Sequence, residues 1–455
     1  MIKSVVEAFD AMRETYGAFF RAGTRDNSAT ARRYLQGLVQ AENCTFSEMA
    51  DVVEGGDEQQ FQHFISNSPW RYEPVIEQIG RDADRLLGGQ DESYLIIDES
   101  SFAKQGDRSA GVARQWSGRL GKVDNCQVAV FAVLSDGTSH TPVDMRLYLP
   151  GRWVDDPERC ARAGIPEKSR HLVSKSGLAL DIVRQARERG MRFRYVLADG
   201  GYGKEPAFLR ALDDAHEVFV ADVHKTQTVW PERPEIGVPA PKGNGKQPTK
   251  KHASTAPVTV ENAVKALGTE QWQRVELRDS TRGKLRVDVA HLRVWVWDGE
   301  EEEPRQWHLI ARREIASSKP IKYSLSNAPE GASTLHLARM QGHRFWVERS
   351  FEDAKGECGL ADYQVTGWLA WHHHITLVML AMLFILQQRV ANLPILDLLS
   401  ARDIVEILAE TLPGKARTED AIVARINRRH GRRQKSIDSR YRAQERRDRD
   451  ESAPA

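Results

Sequence analysis

The chain has 455 residues, of which 40% are hydrophobic and 28% charged, and its formal net charge at pH 7 is +1. This length and apolar content predict a folded protein with a main domain and one or two smaller ones. A net charge near zero does not by itself indicate a nucleic-acid partner, so the distribution of charge along the chain matters more.

The sequence gives no sign of a membrane or secretion signal. The longest apolar run, Ile375–Leu386, is too short to span a bilayer, and the N-terminus lacks the hydrophobic core of a signal peptide. The cysteines are scattered without a Cys-x-x-Cys pair, which argues against zinc ribbons and a disulfide framework. We therefore expect a cytoplasmic protein with no membrane partner, whose cysteines are buried, reduced thiols.

Residues 1–90 are predicted to be helical, because apolar residues recur there at helical spacing. Within them, Thr45–Ile65 has the shape of a helix-turn-helix, with a Gly-Gly turn between two short helices. A plain helical hairpin packed against the next domain explains the same pattern, since the second helix is acidic at its start and poor in Arg and Lys. We interpret residues 1–90 as a helical N-terminal DNA-binding region, with the hairpin as the alternative.

Residues 91–222 consist of short apolar runs bounded by turns, which predict strands followed by alternating helices and strands. The predicted strands are Tyr94–Ile97, Cys126–Leu134, Pro142–Leu149, Phe193–Ala198 and Glu217–Ala221, and the predicted helices are Leu172–Arg189 and Glu205–Ala215. Three hairpin-connected strands followed by alternating helix and strand describe a mixed α/β sheet.

Two aspartates each follow an apolar strand directly. Asp98 comes after Tyr94–Ile97, and Asp199 comes after Phe193–Ala198. An Asp at such a position is commonly a turn residue or a helix cap. In open α/β sheets, however, the ligand crevice lies at the carboxyl ends of the strands, so the two carboxylates converge if their strands are neighbours.

Residues 223–319 are predicted to form a small β-rich insertion. It begins with a Pro/Gly-rich basic stretch, Lys242–His252, which is expected to be an exposed loop. Most of its aromatic residues are interpreted as packing residues, as aromatics in strands usually are. Trp295, Trp297 and Trp307 are candidates for the alternative role, which is stacking on an unpaired base, and Trp297 is the one taken as a site residue.

Residues 320–392 carry a triple of charged residues at spacings of four and seven: Arg344, Glu348 and Lys355. These spacings place all three near one face of a helix, which on its own is most often a ladder of salt bridges. Together with Asp98 and Asp199, however, Glu348 completes an all-oxygen site suited to Mg²⁺ or Mn²⁺, and the two cations suit DNA phosphates. A glycosidase also uses paired carboxylates, but it does not require the flanking Arg and Lys.

Residues 368–374 end in three consecutive histidines, which suggest a metal site at first sight. Neighbours in a helix point in different directions, so His372, His373 and His374 are interpreted as helix-face and capping residues. Residues 393–455 are predicted to be a helical C-terminal segment with a tail dense in arginine from Arg425 onward. This tail is either a solvated, partly disordered terminus or an arm that follows phosphates.

The motifs resemble those of a known family. The order Asp98, Asp199, Glu348, with a β-rich insertion before the Glu, is similar to the DDE transposases of bacterial insertion sequences. The segments Gly111–Gln127, Leu197–Gly203 and Glu348–Tyr363 resemble more closely the insertion-sequence 701 branch, which is related to the Tyr-Arg-Glu-Lys signature group. One departure is visible, because the Tyr of that signature is replaced here by Gln341.

This resemblance implies a ribonuclease-H-like catalytic core in two parts, residues 91–222 and 320–392. It implies that Asp98, Asp199 and Glu348 bind the metal ions, and that Arg344 and Lys355 contact the backbone of the transposon end. In the glycine-rich segment Gly111–Gln127, the side chains of Arg114, Arg119 and Lys122 are candidates for contacts with phosphate, although a hairpin loop accounts for the same residues.

The resulting hypothesis is an Mg²⁺-dependent transposase, with Mn²⁺ as a substitute ion. It would bind terminal inverted repeats, cleave the DNA there and transfer the freed strands to target DNA, acting as a homodimer on DNA. Two alternatives stay open, namely a ribonuclease-H-like nuclease without strand transfer and a domesticated DNA-binding protein.

Overall fold

The computed structural model describes residues 5–452 except residues 119, 241–247, 281, 282, 316–319, 395, 397, 416 and 417. The N-terminal region is helical, as predicted. Its helices are α1 Val5–Tyr16, α2 Ser28–Gln40, α3 Phe46–Val52, α4 Glu58–Ser66 and α5 Tyr72–Leu87. Helices α3 and α4 form the expected pair, and each begins at a capping side chain, Thr45 and Asp57 respectively.

A single ten-stranded mixed sheet forms the centre of the protein. Its strands are β1 Tyr94–Ala103, β2 Ala113–Ser117, β3 Lys122–Ser135, β4 His140–Leu147, β5 Tyr195–Ala198, β6 Val218–Val223, β7 Gln273–Ser280, β8 Gly283–Val296, β9 Arg305–Glu314 and β10 Lys322–Ser326. Strand order is β7-β8-β9-β10-β6-β5-β1-β3, and β2 and β4 pair with the two halves of β3 along its outer edge.

The central strands β1, β5 and β6 are parallel, whereas β1, β3 and β4 form antiparallel pairs. Tyr94–Ile97 is buried completely, as expected for a strand that is covered on both faces. This arrangement confirms the predicted mixed α/β sheet of the ribonuclease-H-like type.

Strands β7 to β10 continue the same sheet, because β10 pairs with β6 in an antiparallel register. The β-rich residues 273–314 therefore extend the core sheet by hydrogen bonds. Three small two-stranded ribbons lie outside it, Arg21–Ala22 with Arg25–Asp26, Thr228–Val229 with Val258–Thr259, and Ile236–Gly237 with His252–Ala253. The last of these joins the two ends of the basic loop, whose residues 241–247 lie outside the described chain.

Helices cover the sheet and close the core. They are α6 Gly151–Val154, α7 Pro157–Arg162, α8 Lys175–Glu188, α9 Gly200–Gly203, α10 Pro206–Asp214, α11 Val260–Lys265, α12 Thr334–His343, α13 Phe345–Glu357, α14 Trp368–Asn392, α15 Ala401–Thr411 and α16 Glu419–Ser452. One apolar cluster joins the N-terminal helices, the sheet and α14. The cysteines Cys44, Cys126, Cys160 and Cys358 are buried, free thiols, as predicted.

Helix α14 is apolar on all sides because it packs in the centre of the protein. By length and composition it is able to cross a membrane, but nearly all of its most apolar stretch is buried within the protein. Helix α16 runs through the arginine block, so the tail is helical in its described residues.

Candidate active site

The register of the parallel strands brings the predicted aspartates to one level. Ile97 of β1 pairs with Ala198 of β5, and Ala198 pairs with Ala221 of β6. The next residues along the three strands are Asp98, Asp199 and Asp222. Two of these were predicted as site residues, whereas Asp222 was not.

The Asp98 carboxylate is nearly enclosed, with a side chain that is 16% exposed. Its Oδ1 accepts a hydrogen bond from the backbone N–H of Glu99 at 2.7 Å. Burial raises its pKa to about 7, and the negative charge of Asp199 contributes in the same direction, whereas Arg344 opposes both. Arg344 therefore does not fully offset the effect of burial and of the Asp199 charge on the Asp98 carboxylate.

Asp199 follows β5 and caps the short helix that comes after it. Its Oδ1 accepts hydrogen bonds from the backbone N–H groups of Gly201 and Tyr202 and caps α9. The helix-cap role that was considered for a strand-end Asp is therefore real. It occupies Oδ1 alone among the described hydrogen bonds, so Oδ2 stays available to a ligand.

The predicted Arg, Glu and Lys triple lies at the start of α13 and along it. A single helix was expected, but α12 ends at His343 and α13 begins at Phe345, so that Arg344 is the junction residue. Its φ of −55° and ψ of −24° are still helical, which preserves the spacing of four to Glu348. The interruption follows Gly342, a residue with low helix propensity.

Arg344 holds three carboxylates with its guanidinium group. Its Nη1 lies 3.2 Å from Asp98 Oδ2, its Nε 3.2 Å from Asp222 Oδ2, and its Nη2 2.5 Å from Glu348 Oε1. Burial lowers the pKa of Arg344, but Asp222, Asp98 and Glu348 outweigh it, so the pKa is raised. Among the described residues, no three carboxylate, histidine or cysteine side chains are yet grouped closely enough to hold a metal ion.

These side chains line one cleft of about 960 Å³. Asp98, Asp199, Arg344, Glu348 and Lys355 all border it, so the structure brings together five of the predicted residues. Glu352, one turn after Glu348 on α13, also borders the cleft. Asp353 does not border it, since its buried carboxylate pairs with Arg349 at 2.7 Å.

The other predicted DNA contacts lie elsewhere. Arg114 is exposed on β2, and Lys122, at the start of β3, pairs with Asp124 at 3.1 Å. Arg119 lies outside the described residues. Trp297 is not among the described residues that border the cleft, and its indole Nε1 donates to the carbonyl of Glu301 at 3.0 Å.

The three histidines of α14 form a separate buried cluster. His372 bonds the carbonyl of Trp368, His373 lies between the carbonyls of Ile65 and Trp70, and His374 bonds Tyr34 and Gly359. The three histidines lie within α14, as expected, but none of them caps it, because the helix begins after Gly367 and all three are inside the core. They take no part in the cleft.

A comparison with known families settles the class. Residues 16–284 match the family described as DDE superfamily endonuclease.

The chain belongs to the DDE endonuclease superfamily.

A protein named as a probable transposase for insertion sequence element IS701, from Microchaete diplosiphon, is 24% identical over 325 residues, which cover 71% of this chain and 72% of the relative. These matches confirm the resemblance inferred from the motifs. The family match includes Asp98 and Asp199, whereas Glu348 lies beyond its end.

The donor set of this DDE endonuclease fits a divalent metal ion. The cleft offers carboxylate oxygens, which hard cations prefer, and it offers neither cysteine nor histidine. The raised pKa of Asp98 reflects the same shortage of positive charge that a bound cation removes. Divalent metals are typical of the superfamily.

Sequence reasoning missed three features in or beside the cleft. Glu99 pairs with Lys175 at 2.5 Å beside the acids. Asp222 follows a predicted apolar strand directly, so the signal that found Asp98 and Asp199 was sufficient to find it. Trp116 borders the cleft and is 58% exposed, which is unusual for tryptophan, but no local signal distinguished it from the other tryptophans.

Proposed function

We propose that this DDE endonuclease is a transposase that binds the terminal inverted repeats of its own element, cleaves the DNA there with Mg²⁺, and joins the freed 3′ ends to target DNA. The observation that carries the proposal is the shared level of Asp98 and Asp199 on adjacent parallel strands, with Glu348 in the same cleft. The name of the IS701 relative supports strand transfer in addition to cleavage.

In this proposal Asp98, Asp199 and Glu348 hold the metal ions. The bound ions supply activation of the attacking water or 3′-hydroxyl and stabilisation of the leaving oxygen. Glu348 is well placed to turn toward the aspartates, because its side chain is 53% exposed and its described partner is Arg344. Mn²⁺ has the same preference for oxygen ligands and is expected to substitute for Mg²⁺.

The DNA would follow the cationic side of the cleft. Lys355 lies two turns after Glu348 on α13, and Lys175 and Lys204 also border the cleft. Arg114 and Lys122 extend this surface along the hairpin of β2 and β3. We assign stacking on a base to Trp116, because it is exposed and borders the cleft. Trp297 is half-buried and is not among the described residues that border the cleft.

Joining two element ends requires two catalytic sites, so we propose that the protein acts as a homodimer on DNA. The exposed arginines of α16 are suited to contact phosphates in such a complex.

The test is a cleavage and joining assay on a fluorescent duplex that carries one element end, with and without Mg²⁺. Cleavage at the end of the element, followed by attachment of the 3′ strand to a target plasmid, is expected from the unaltered chain. Asp98→Asn is expected to abolish both steps and retain DNA binding. Glu352→Gln is the matched control, since it borders the same cleft one turn after Glu348 and is not a proposed ligand.

Each alternative has its own result. Cleavage without joined product would favour the nuclease without strand transfer. Binding without cleavage at any Mg²⁺ or Mn²⁺ concentration would favour the domesticated DNA-binding protein. Cleavage by Asp98→Asn at the rate of the unaltered chain would remove Asp98 from the site.

A further inference from the structure

Asp222 is the third acid at the level of the active site, one strand beyond Asp199. Ala198 pairs with Ala221, and Asp199 and Asp222 are the residues that follow them on the two neighbouring strands. Unlike the other acids, Asp222 does not border the cleft among the described residues. It lies behind Arg344, to which it is joined by the 3.2 Å contact with Nε.

Buried hydrogen bonds fix the Asp222 carboxylate from the other side. Its Oδ1 accepts from the hydroxyl of Ser324 at 2.6 Å, and that hydroxyl accepts from Nε2 of Gln341 at 2.7 Å. Ser324 and Gln341 are both buried. Gln341 occupies the position where the related signature has Tyr. In this chain the residue at that position holds the Ser324 hydroxyl that donates to Asp222.

The three contacts of Arg344 are therefore of two kinds. Nη1 and Nη2 contact Asp98 and Glu348, which are the proposed metal ligands, whereas Nε contacts Asp222, which is not. A largely buried guanidinium that loses its partners is strongly destabilised. When Asp98 and Glu348 turn to a divalent ion, the Asp222 contact is the one that remains.

We propose that Asp222 is a positioning residue that retains Arg344 at the edge of the cleft when the proposed metal ligands release it, an inference that rests on the proposed metal site. Retention by Nε leaves Nη1 and Nη2 directed at the cleft, where a DNA phosphate accepts two parallel N–H bonds from one guanidinium. Arg344 is thereby the internal counter-ion of the acids before the metal binds, and a phosphate ligand afterwards.

The test measures Mn²⁺ binding to the full-length protein without DNA, by electron paramagnetic resonance of the free ion. Asp222→Asn leaves Arg344 dependent on Asp98 and Glu348, so we expect Mn²⁺ affinity to fall by about tenfold, as for other residues behind metal ligands. In an Arg344→Met background, the same Asp222→Asn change is expected to have little effect, because the residue it retains is absent.

Glu205→Gln is the matched control, because Glu205 borders the cleft without a described contact to Arg344. Its effect on Mn²⁺ affinity is expected to be small and equal in both backgrounds. Ser324→Ala, which removes the Oδ1 hydrogen bond and keeps the Asp222 charge, is expected to act in the same direction as Asp222→Asn but more weakly. It also keeps the proposal testable if Asp222→Asn does not fold.

An equal loss of affinity from Asp222→Asn in both backgrounds would overturn the proposal, since it would show a general effect of charge. Unchanged affinity in the otherwise unaltered background would also overturn it. Absence of Mn²⁺ binding by the unaltered chain would overturn the metal site itself, and with it this role, so the two failures are distinguishable.

Discussion

The acids of the cleft and the histidines of α14 are both clusters of titratable residues in a largely apolar protein, but their hydrogen bonds differ. The ring nitrogens of His373 and His374 lie within hydrogen-bond distance of groups within the protein. The negative charge of Asp199 acts on Asp98, and the cation that contacts Asp98 is Arg344, which is shared with two other acids. The comparison teaches that a buried titratable cluster that stays neutral and packs within the protein is structural, whereas a cluster of acids with little positive charge around it is available to a cation.

The pKa shifts express the same difference. Burial lowers the pKa of His372 and His374 to about 3 and that of His373 to about 4, so all three are neutral at pH 7. Burial raises the pKa of Asp98 to about 7. The histidines are stable in the core because they are neutral there, whereas the ionised form of Asp98 requires a nearby cation.

The comparison predicts that a change in the cleft lowers activity and a change in the histidine cluster lowers stability. Glu348→Gln is expected to lower metal-dependent cleavage at least about a hundredfold and to leave the free energy of unfolding nearly unchanged. His373→Leu is expected to lower the free energy of unfolding by about 2 to 4 kcal/mol, because the buried carbonyl that accepts from the neutral imidazole loses its donor and the ring no longer stacks on Trp70. Cleavage assays and urea denaturation check the pair, and loss of Mn²⁺ binding in His373→Leu would contradict it.

The buried histidines are expected to make the free energy of unfolding fall at acidic pH. Their pKa values in the folded protein lie below the unfolded value of about 6.5, so the unfolded chain takes up protons first, and stability is lost as the pH falls below about 6.5. Each histidine is expected to contribute about 1 kcal/mol over the first pH unit. Urea denaturation between pH 7 and pH 5 measures this loss, which should be smaller in His373→Leu. An equal loss would assign it to other groups.

Two tryptophans test whether exposure at the cleft predicts a ligand contact. Trp116→Ala is expected to weaken binding to element-end DNA by about tenfold, since one stacked base is worth about 1 to 3 kcal/mol. Trp116→Phe should retain most of the affinity. Trp297→Ala is the matched control, because its indole already bonds Glu301. Fluorescence anisotropy checks both, and a larger effect at Trp297 would restore the sequence-based candidate.

The smallest expected effect concerns Lys355. Lys355→Ala is expected to weaken DNA binding only a few-fold for all sequences and to reduce the slope of log affinity against log salt by about one. Titrations at several salt concentrations measure the slope. The control is Lys265→Ala, since Lys265 is exposed and pairs with Glu261 on α11. An unchanged slope would show that Lys355 contacts no phosphate.

The acids that follow apolar runs were the most predictable part of the site. An apolar run that stops at an acid is a local pattern, and it located Asp98 and Asp199 correctly at one level of the sheet. The same pattern was present at Asp222 and was overlooked. Strand β1 continues beyond Asp98 to Ala103 because its polar residues pair with β3, and that pairing is not visible in a local window.

Other features depended on distant contacts. Nothing in residues 273–326 shows that β10 pairs with β6, because antiparallel pairing of distant strands leaves no local periodicity. Likewise, the burial of His373 depends on Ile65 and Trp70, which lie 308 and 303 positions away from it in the sequence. The chemistry of the cleft could be inferred from residue types, but the three-way contact of Arg344 could not.

The contact between Arg344 and Asp98 joins residues that are 246 positions apart in the chain. At a synthesis rate of 5 to 20 residues per second, about 12 to 50 seconds separate their appearance from the ribosome. During that interval Asp98 and Asp199 exist without Arg344 and Glu348, and the proposed metal site is incomplete. A chain that ends prematurely between residues 199 and 344 therefore carries the first two acids and cannot complete the proposed site.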